Sequence, residues 1–187
     1  LTHLLESPFT LHPGMIEKIA RERSHAEAGH SGRIIIKVNS LVEPKVIRAL
    51  YGASQAGVQI DLIVRGMCCL RPGVAGVSDN IRVRSIIGRF LEHTRVFYFA
   101  NNGDPELYCS SADWMERNFF RRVETAFPLL DSELRDRVIA DLQTYLADNT
   151  QAWILDAEGE YKRLAPADGE QAINAQTALL EGYGEGS

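Results

Sequence analysis

Cysteine is scarce in this 187-residue chain, with three residues, Cys68, Cys69 and Cys109, two of them adjacent. An odd number at that spacing excludes a disulfide framework and a zinc cluster, and leaves buried thiols as the expectation. No run of about 18 apolar residues is present, so no segment reads as a membrane-spanning helix. The opening residues, LTHLLESPFT, lack the basic start and apolar middle of a signal peptide. The reading is a cytoplasmic protein, with membrane association left open. Internal repeats and low-complexity blocks are absent too. What is present, 45% hydrophobic and 24% charged residues, is the balance of one soluble domain with its own core. With Leu at position 1 and a loop-like opening, the chain reads as a piece of a longer protein, in which 1–12 are expected to be a linker and 13–187 the domain.

Positive charge is scarce overall, the net charge being −5, but it is unevenly placed. Residues 33–95 hold 10 basic and 4 acidic side chains, whereas 96–187 hold 7 and 17. A positive centre in an acidic chain points to a local anion site. A nucleic-acid surface would make the whole domain basic, so no nucleic-acid partner is expected.

The spacing of Met15, Ile16, Ile19 and Ala20 predicts a helix over 13–28, with Thr10 as a cap. RIIIKV (33–38) and VQIDLIV (58–64) are continuous apolar runs of the kind buried in parallel sheets, and 43–56 between them reads as a helix. Together they form a βαβ unit. A glycine-containing loop follows Val64, then a predicted helix at 85–91, strands at 95–100 and 106–111 joined by the turn NNGDP, and a strand at 121–127. Asp131 caps a helix running to about 146; AWILD and EYKRL read as a hairpin, and 171–180 as a last helix before a frayed end.

Ligands in open α/β sheets lie outside the carboxyl ends of the strands, which places Arg65 where a substrate would bind. Lys37 and Asn39, ending the first strand, point to the same crevice, although a lysine there is also ordinary surface. A lone histidine is usually a satisfied or solvated residue. His93 differs in standing among Arg65, Arg82, Arg84, Arg89 and Arg95, ahead of a Ser-Ser-x-Asp-Trp sequence. Arg82 and Arg84 alternate with Ile81 and Val83, so they share a face and either guide an anionic chain or are merely solvated. Ser111 can hydrogen-bond a phosphate or cap the turn before Trp114. His3, His12, His25 and His30 keep no metal-ligand company.

The order in EHTRVFYFANNGDPELYCSSADW, histidine, a basic residue, strand, turn, strand and serine, resembles the phosphotransfer motif of the phospholipase D superfamily. Arg95 stands where that superfamily has lysine and Asp113 where it has asparagine; an arginine fork can hold two phosphate oxygens at once. With SPFTLH, KVNSLVEPKVIRALYGASQAGVQIDLIVRGMCCLRPG, RFLEHTRVFYF, CSSADWMERN and RRVETAFPLLD in that order, the stretch from Ser7 to Tyr161 resembles the carboxyl-terminal catalytic domain of bacterial polyphosphate kinases.

That resemblance implies an α/β, phospholipase D-like fold with a mixed, mostly parallel sheet flanked by helices. It implies two such domains packed face to face, with ATP, ADP and inorganic polyphosphate as substrates, magnesium bound mainly outside this chain, and a homo-oligomer. It also implies a phosphohistidine in the preceding domain, since no segment here resembles its His-x-Gly-x-Gly-Asn-Tyr-Asn surroundings. Carried over, it puts Arg65 and His93 at the nucleotide phosphates with Arg122 and Glu124 beside them, His93 assisting the leaving group and Glu124 orienting its ring. On the residues alone, Glu124 could equally be a strand residue paired with Arg122. A phosphodiesterase or nuclease half-site, and a polyphosphate-binding module, are the competing readings.

Overall fold

Isoleucine and valine decide the centre of the fold. The computed structural model describes residues 4–184. Arg33–Val38 and Gln59–Val64 bury apolar side chains on both faces, and strands without a polar face are stable only between two covering layers. Numbered in chain order with the preceding two-residue strand Leu5–Glu6 (β1), they are β2 and β3. They pair in parallel from Arg33 opposite Gln59 to Val38 opposite Val64. Helix α1 (Leu11–Glu27) precedes them and α2 (Pro44–Gln55) crosses between them. The start of α2 is set chemically: Glu43 accepts the Val46 N–H at 2.7 Å, and Pro44 occupies the first turn, where a missing N–H is harmless.

A third parallel strand, β4 (Ile81–Ile86), joins β3. This corrects the predicted helix at 85–91. The alternation of buried Ile81, Val83 and Ser85 with the more exposed Arg82 and Arg84 has the period of two that a strand requires. The helical spacing read farther along fails because Ile87 and Leu91 face solvent, 58% and 69% exposed. The chain continues as β5 (Val96–Phe99), β6 (Glu106–Ser110), a short α3 (Glu116–Phe120), β7 (Thr125–Pro128), α4 (Ser132–Ala147), the hairpin β8 (Ala152–Leu155) and β9 (Tyr161–Arg163), and α5 (Ala175–Gly184). Beyond Gly184 the expected frayed end lies outside the described residues.

The strand order is β1-β7-β6-β5-β2-β3-β4-β8-β9. The sheet is mixed as expected, but the parallel share is smaller than expected: among the described residues β2–β3 and β3–β4 are the parallel strand pairings, and the other six are antiparallel. Turns as short as those joining β5 to β6 and β8 to β9 can return a strand only antiparallel. The expected linker is corrected as well. Leu5 pairs with Ala126 and Glu6 with Thr125, and Leu11 is fully buried in the core, so residues 4–12 belong to the fold.

Two cores sandwich the sheet. On one face Met15 and Ile19 of α1 and Val46 and Leu50 of α2 pack on Ile34, Ile36 and Leu62; on the other Leu142 of α4 and Ala175 of α5 pack on Ile35, Ile63 and Val96. Each fully buried aliphatic side chain contributes roughly 1.5–3 kcal/mol. The cysteines are all free, and the expectation of buried thiols holds only partly: burial pushes the Cys68 thiol up to about 11 and raises Cys109, while Cys69 is exposed. Among the described residues no helix is long and apolar enough to cross a membrane.

Four buried or half-buried carboxylates make the fold acid-sensitive. Burial by itself would push each upward, but hydrogen bonds and cations outweigh it. Glu43 is lowered by the Val46 and Lys45 N–H groups and His12, Asp61 by Arg82 and Arg33, Glu92 by Lys37, and Glu106 by Arg21 and Lys18. A carboxyl whose folded pKa is depressed stabilises fully above its ordinary value, 3.8 for Asp61 and 4.5 for the three glutamates, and that stabilisation is lost as pH falls through the depressed value. The urea midpoint of this chain is therefore expected to fall between about pH 5 and pH 3. A midpoint that stays flat across that range would contradict the ion-pair assignments.

Candidate functional site

The site grows from the carboxyl ends of β2 and β3. One residue past β2, Asn39 accepts the Arg65 Nε–H on its side-chain oxygen at 3.0 Å, and its backbone oxygen accepts the Gly66 N–H at 2.8 Å. A Cβ on Gly66 would lie 2.9 Å from that Asn39 oxygen, so only glycine lets the two chains close up here. Arg65 is fixed a second time, because its carbonyl accepts the Ser85 hydroxyl at 3.1 Å. With Nε engaged and the backbone held, the outer guanidinium nitrogens are left for a ligand. Asn39 is 8% exposed, and its amide nitrogen is buried without a hydrogen-bond partner.

Asp113 ties this corner to the histidine. One of its oxygens accepts the backbone N–H groups of Asn39 and Ser40 at 2.7 and 3.2 Å; the other accepts Arg95 Nη2 at 3.0 Å. Arg95 in turn donates Nη1 to the His93 carbonyl at 2.9 Å. The next residue, Trp114, is fully buried, stacks edge-on against Phe97 at 5.3 Å, and exchanges backbone hydrogen bonds with Ser40, Val42 and Glu43. That anchor holds Asp113 over the end of β2. Both arms of the Arg95 fork are thus committed to protein groups, not to the two phosphate oxygens its chemistry allows. The two departures from the superfamily pattern form one ion pair.

Register brings the remaining candidates to the same end of the sheet. Val96 faces Lys37 on one side and Cys109 on the other, and Ser110 faces Ala126. The segments 87–95, 111–113 and 121–124 therefore gather where β2 and β3 finish. His93 and Arg122 are exposed there, with Ser111 alongside. Glu124 is 9% exposed and takes a role that neither sequence reading anticipated. Its carboxylate accepts the Ser111 hydroxyl on one oxygen and the Asn118 amide on the other, the latter at 2.6 Å. Neither the His93 ring nor Arg122 is among those partners.

Two weaker candidates leave the crevice, and a third, Lys37, lines it beside Asn39 and Arg65 with its charge already paired. Arg82 donates Nε to Asp61 at 2.8 Å, and Asp61 also holds Arg33 at the amino end of β2. Arg84 reaches the Tyr145 and Asp148 carbonyls at 3.4 and 3.3 Å, closing the end of α4, where a cation meets the helix dipole favourably. Lys37 is 5% exposed, pairs with Glu92 at 2.7 Å and lies 4.6 Å above the Tyr145 ring. The shared face read for Arg82 and Arg84 is real, but their partners are acidic or carbonyl groups of the protein itself. Sequence reasoning missed Glu92, Asn118 and Gln176, because nothing in their spacing separates them from ordinary polar residues. Asp113 stood out only as a departure from a motif. Among the described residues no group of three or more His, Cys, Asp or Glu is placed to hold a metal ion.

A parallel βαβ centre widened by antiparallel strands gives the chain an α/β fold of the phospholipase D type. Nuc, a phospholipase D family member from Salmonella typhimurium, superposes with a TM-score of 0.57 over 86% of this chain and 96% of its own, and at 15% identity the likeness is one of fold. The family model "Polyphosphate kinase C-terminal domain 2" matches residues 4–176, and the chain belongs to that family. Polyphosphate kinase of Pseudomonas aeruginosa is 61% identical over 178 residues, 95% of this chain and 26% of that protein. That of Xylella fastidiosa is 60% identical over 179 residues, with the same coverage. The crystal structure of polyphosphate kinase from Porphyromonas gingivalis matches with a TM-score of 0.93 at 40% identity, covering 99% of this chain and 29% of that one. The chain thus spans about a quarter of the length of these curated relatives.

Proposed function

We propose that this domain is the nucleotide-phosphate half of a polyphosphate kinase catalytic core, transferring the terminal phosphate of ATP reversibly to inorganic polyphosphate. The observation that carries the reading is Arg65, held by Asn39 at 3.0 Å and by Ser85 at 3.1 Å, at the sheet end where His93 and Arg122 are exposed. Phosphoryl transfer asks little covalent work of the surrounding protein; it needs neutralised oxygens and in-line placement. The outer nitrogens of Arg65, whose Nε is held by Asn39, supply donors fixed in advance, which is what stabilises developing charge. In the first step the bond between the β–γ bridging oxygen and the γ-phosphorus breaks, and a bond forms from phosphorus to a histidine nitrogen of the preceding domain. His93 donates to the bridging oxygen that leaves with ADP. In the second, the N–P bond breaks and a terminal oxygen of polyphosphate takes the phosphoryl group.

Arg122 extends the cationic surface toward the polyphosphate. Glu124 acts one step removed, fixing Ser111 and the turn into β7. Magnesium would neutralise nucleotide phosphates when bound, and this chain contributes arginine donors to the same task. The preceding domain of the same chain, and a second copy in a homo-oligomer, are the partners this reading implies, in the cytoplasm.

A phosphodiesterase would share the fold, but the Arg95 fork is already engaged by Asp113 and the His93 carbonyl. The test is to give the complete protein γ-labelled ATP and, separately, a chromogenic phosphodiester. Labelled polyphosphate with stoichiometric ADP is expected, and no diester cleavage. Diester cleavage without ATP, or polyphosphate binding with no synthesis, would replace this reading with one of its competitors.

A further inference from the structure

We propose that Gln176 of α5 is a positioning residue that clamps the loop carrying His93, an inference that rests on the role given to His93 above. Residues 87–95 between β4 and β5 have no regular structure. Apolar packing does not hold them, since Ile87, Phe90 and Leu91 are 58%, 45% and 69% exposed. Polar contacts do. Gln176, 7% exposed, accepts the Phe90 N–H on Oε1 at 2.9 Å. Its Nε2 donates to the Phe90 carbonyl at 2.9 Å and to Glu92 Oε1 at 2.7 Å. One carboxamide thus holds both backbone groups of Phe90 and the carboxylate next to His93. The other Glu92 oxygen takes Lys37 of β2 at 2.7 Å.

The clamp is rigid at both ends. Asp148, 1% exposed, accepts the Ala175 N–H at 2.7 Å at the start of α5 and holds the entry to β8 with its other oxygen. On the loop side, a Cβ at Gly88 would sit 2.4 Å from Gln176 Oε1. Glycine there is what lets the carboxamide seat. A clamp of this kind governs where His93 stands, and a misplacement of about 1 Å is enough to lower a rate about a hundredfold.

The test uses the complete protein with Gln176→Ala, Gly88→Ala and their combination, measuring kcat and the ATP KM for polyphosphate synthesis together with amide exchange. Each single variant is expected to lower kcat about ten- to a hundredfold. The ATP KM should change less than about threefold, because Arg65, which directly follows β3, lies outside the loop. Exchange should quicken at 88–92 and stay slow in β2 and β3. Adding Gly88→Ala to Gln176→Ala should cost little more, since the clashing atom is gone. Unchanged kcat in both single variants, or exchange quickened equally across the sheet, would overturn the clamp. If His93→Ala itself retains synthesis, the role of His93 fails first and the clamp with it; if His93→Ala abolishes synthesis and these variants do not lower kcat, the clamp alone fails.

Discussion

Replacing Arg65 by alanine in the complete protein is expected to lower kcat/KM for polyphosphate synthesis by about a thousandfold, equivalent to about 4 kcal/mol of transition-state stabilisation. The size follows from the geometry: Nε bonded to Asn39 and a carbonyl bonded to Ser85 leave the guanidinium little freedom to lose on meeting a phosphate. Arg65→Lys should recover only part of the rate, because a lysine keeps a charge but loses both the Asn39 contact and the two-pronged grip on a phosphate. His93→Ala should cost about 10²–10⁴-fold in kcat, the usual range for a group that assists a leaving oxygen. Steady-state ADP release and polyphosphate yield measure all three. Synthesis within about threefold of normal in Arg65→Ala or His93→Ala would remove that residue from the site.

Loss of the Asp113 carboxylate should be the most damaging single change to stability. Asp113 is 6% exposed and serves the Asn39 and Ser40 N–H groups and Arg95 at once. Asp113→Ala leaves a half-buried guanidinium and two backbone donors without partners, at a cost of about 3–5 kcal/mol. For a chain of this size that lowers Tm by roughly 6–20 °C. Asp113→Asn combined with Arg95→Met should recover much of the loss, because an amide oxygen still serves the two N–H groups and no uncompensated charge remains. Thermal unfolding of the three proteins decides it. A Tm within about 2 °C of normal in Asp113→Ala would mean that this corner is held by Trp114 alone.

The elements legible from sequence were those whose signal is local. The apolar runs RIIIKV and QIDLIV are strands at 33–38 and 59–64, and Asp131 caps α4 as read, its side chain accepting the Leu134 N–H at 3.0 Å. β4 was misread because its apolar residues run on into Ile87 and Leu91, and only packing decides that the alternating half is sheet and the rest exposed loop. The tiny α3 and the two-residue β1 carry too few residues for any pattern; their neighbours in space make them.

By itself the sequence determined that this is an α/β chain with a βαβ centre, that its positive charge is concentrated in 33–95, and that Arg65 follows a buried strand. Those properties rest on periodicity, turn residues and composition, which act within a few residues. Tertiary structure alone decided which charges are available to a ligand. Arg82, Arg84, Arg95 and Lys37 look like Arg65 in the sequence, yet Asp61, the α4 carbonyls, Asp113 and Glu92 occupy them across 18 to 64 residues of chain. A buried or half-buried cation has to be matched by a partner, and distance along the chain does not say where that partner lies.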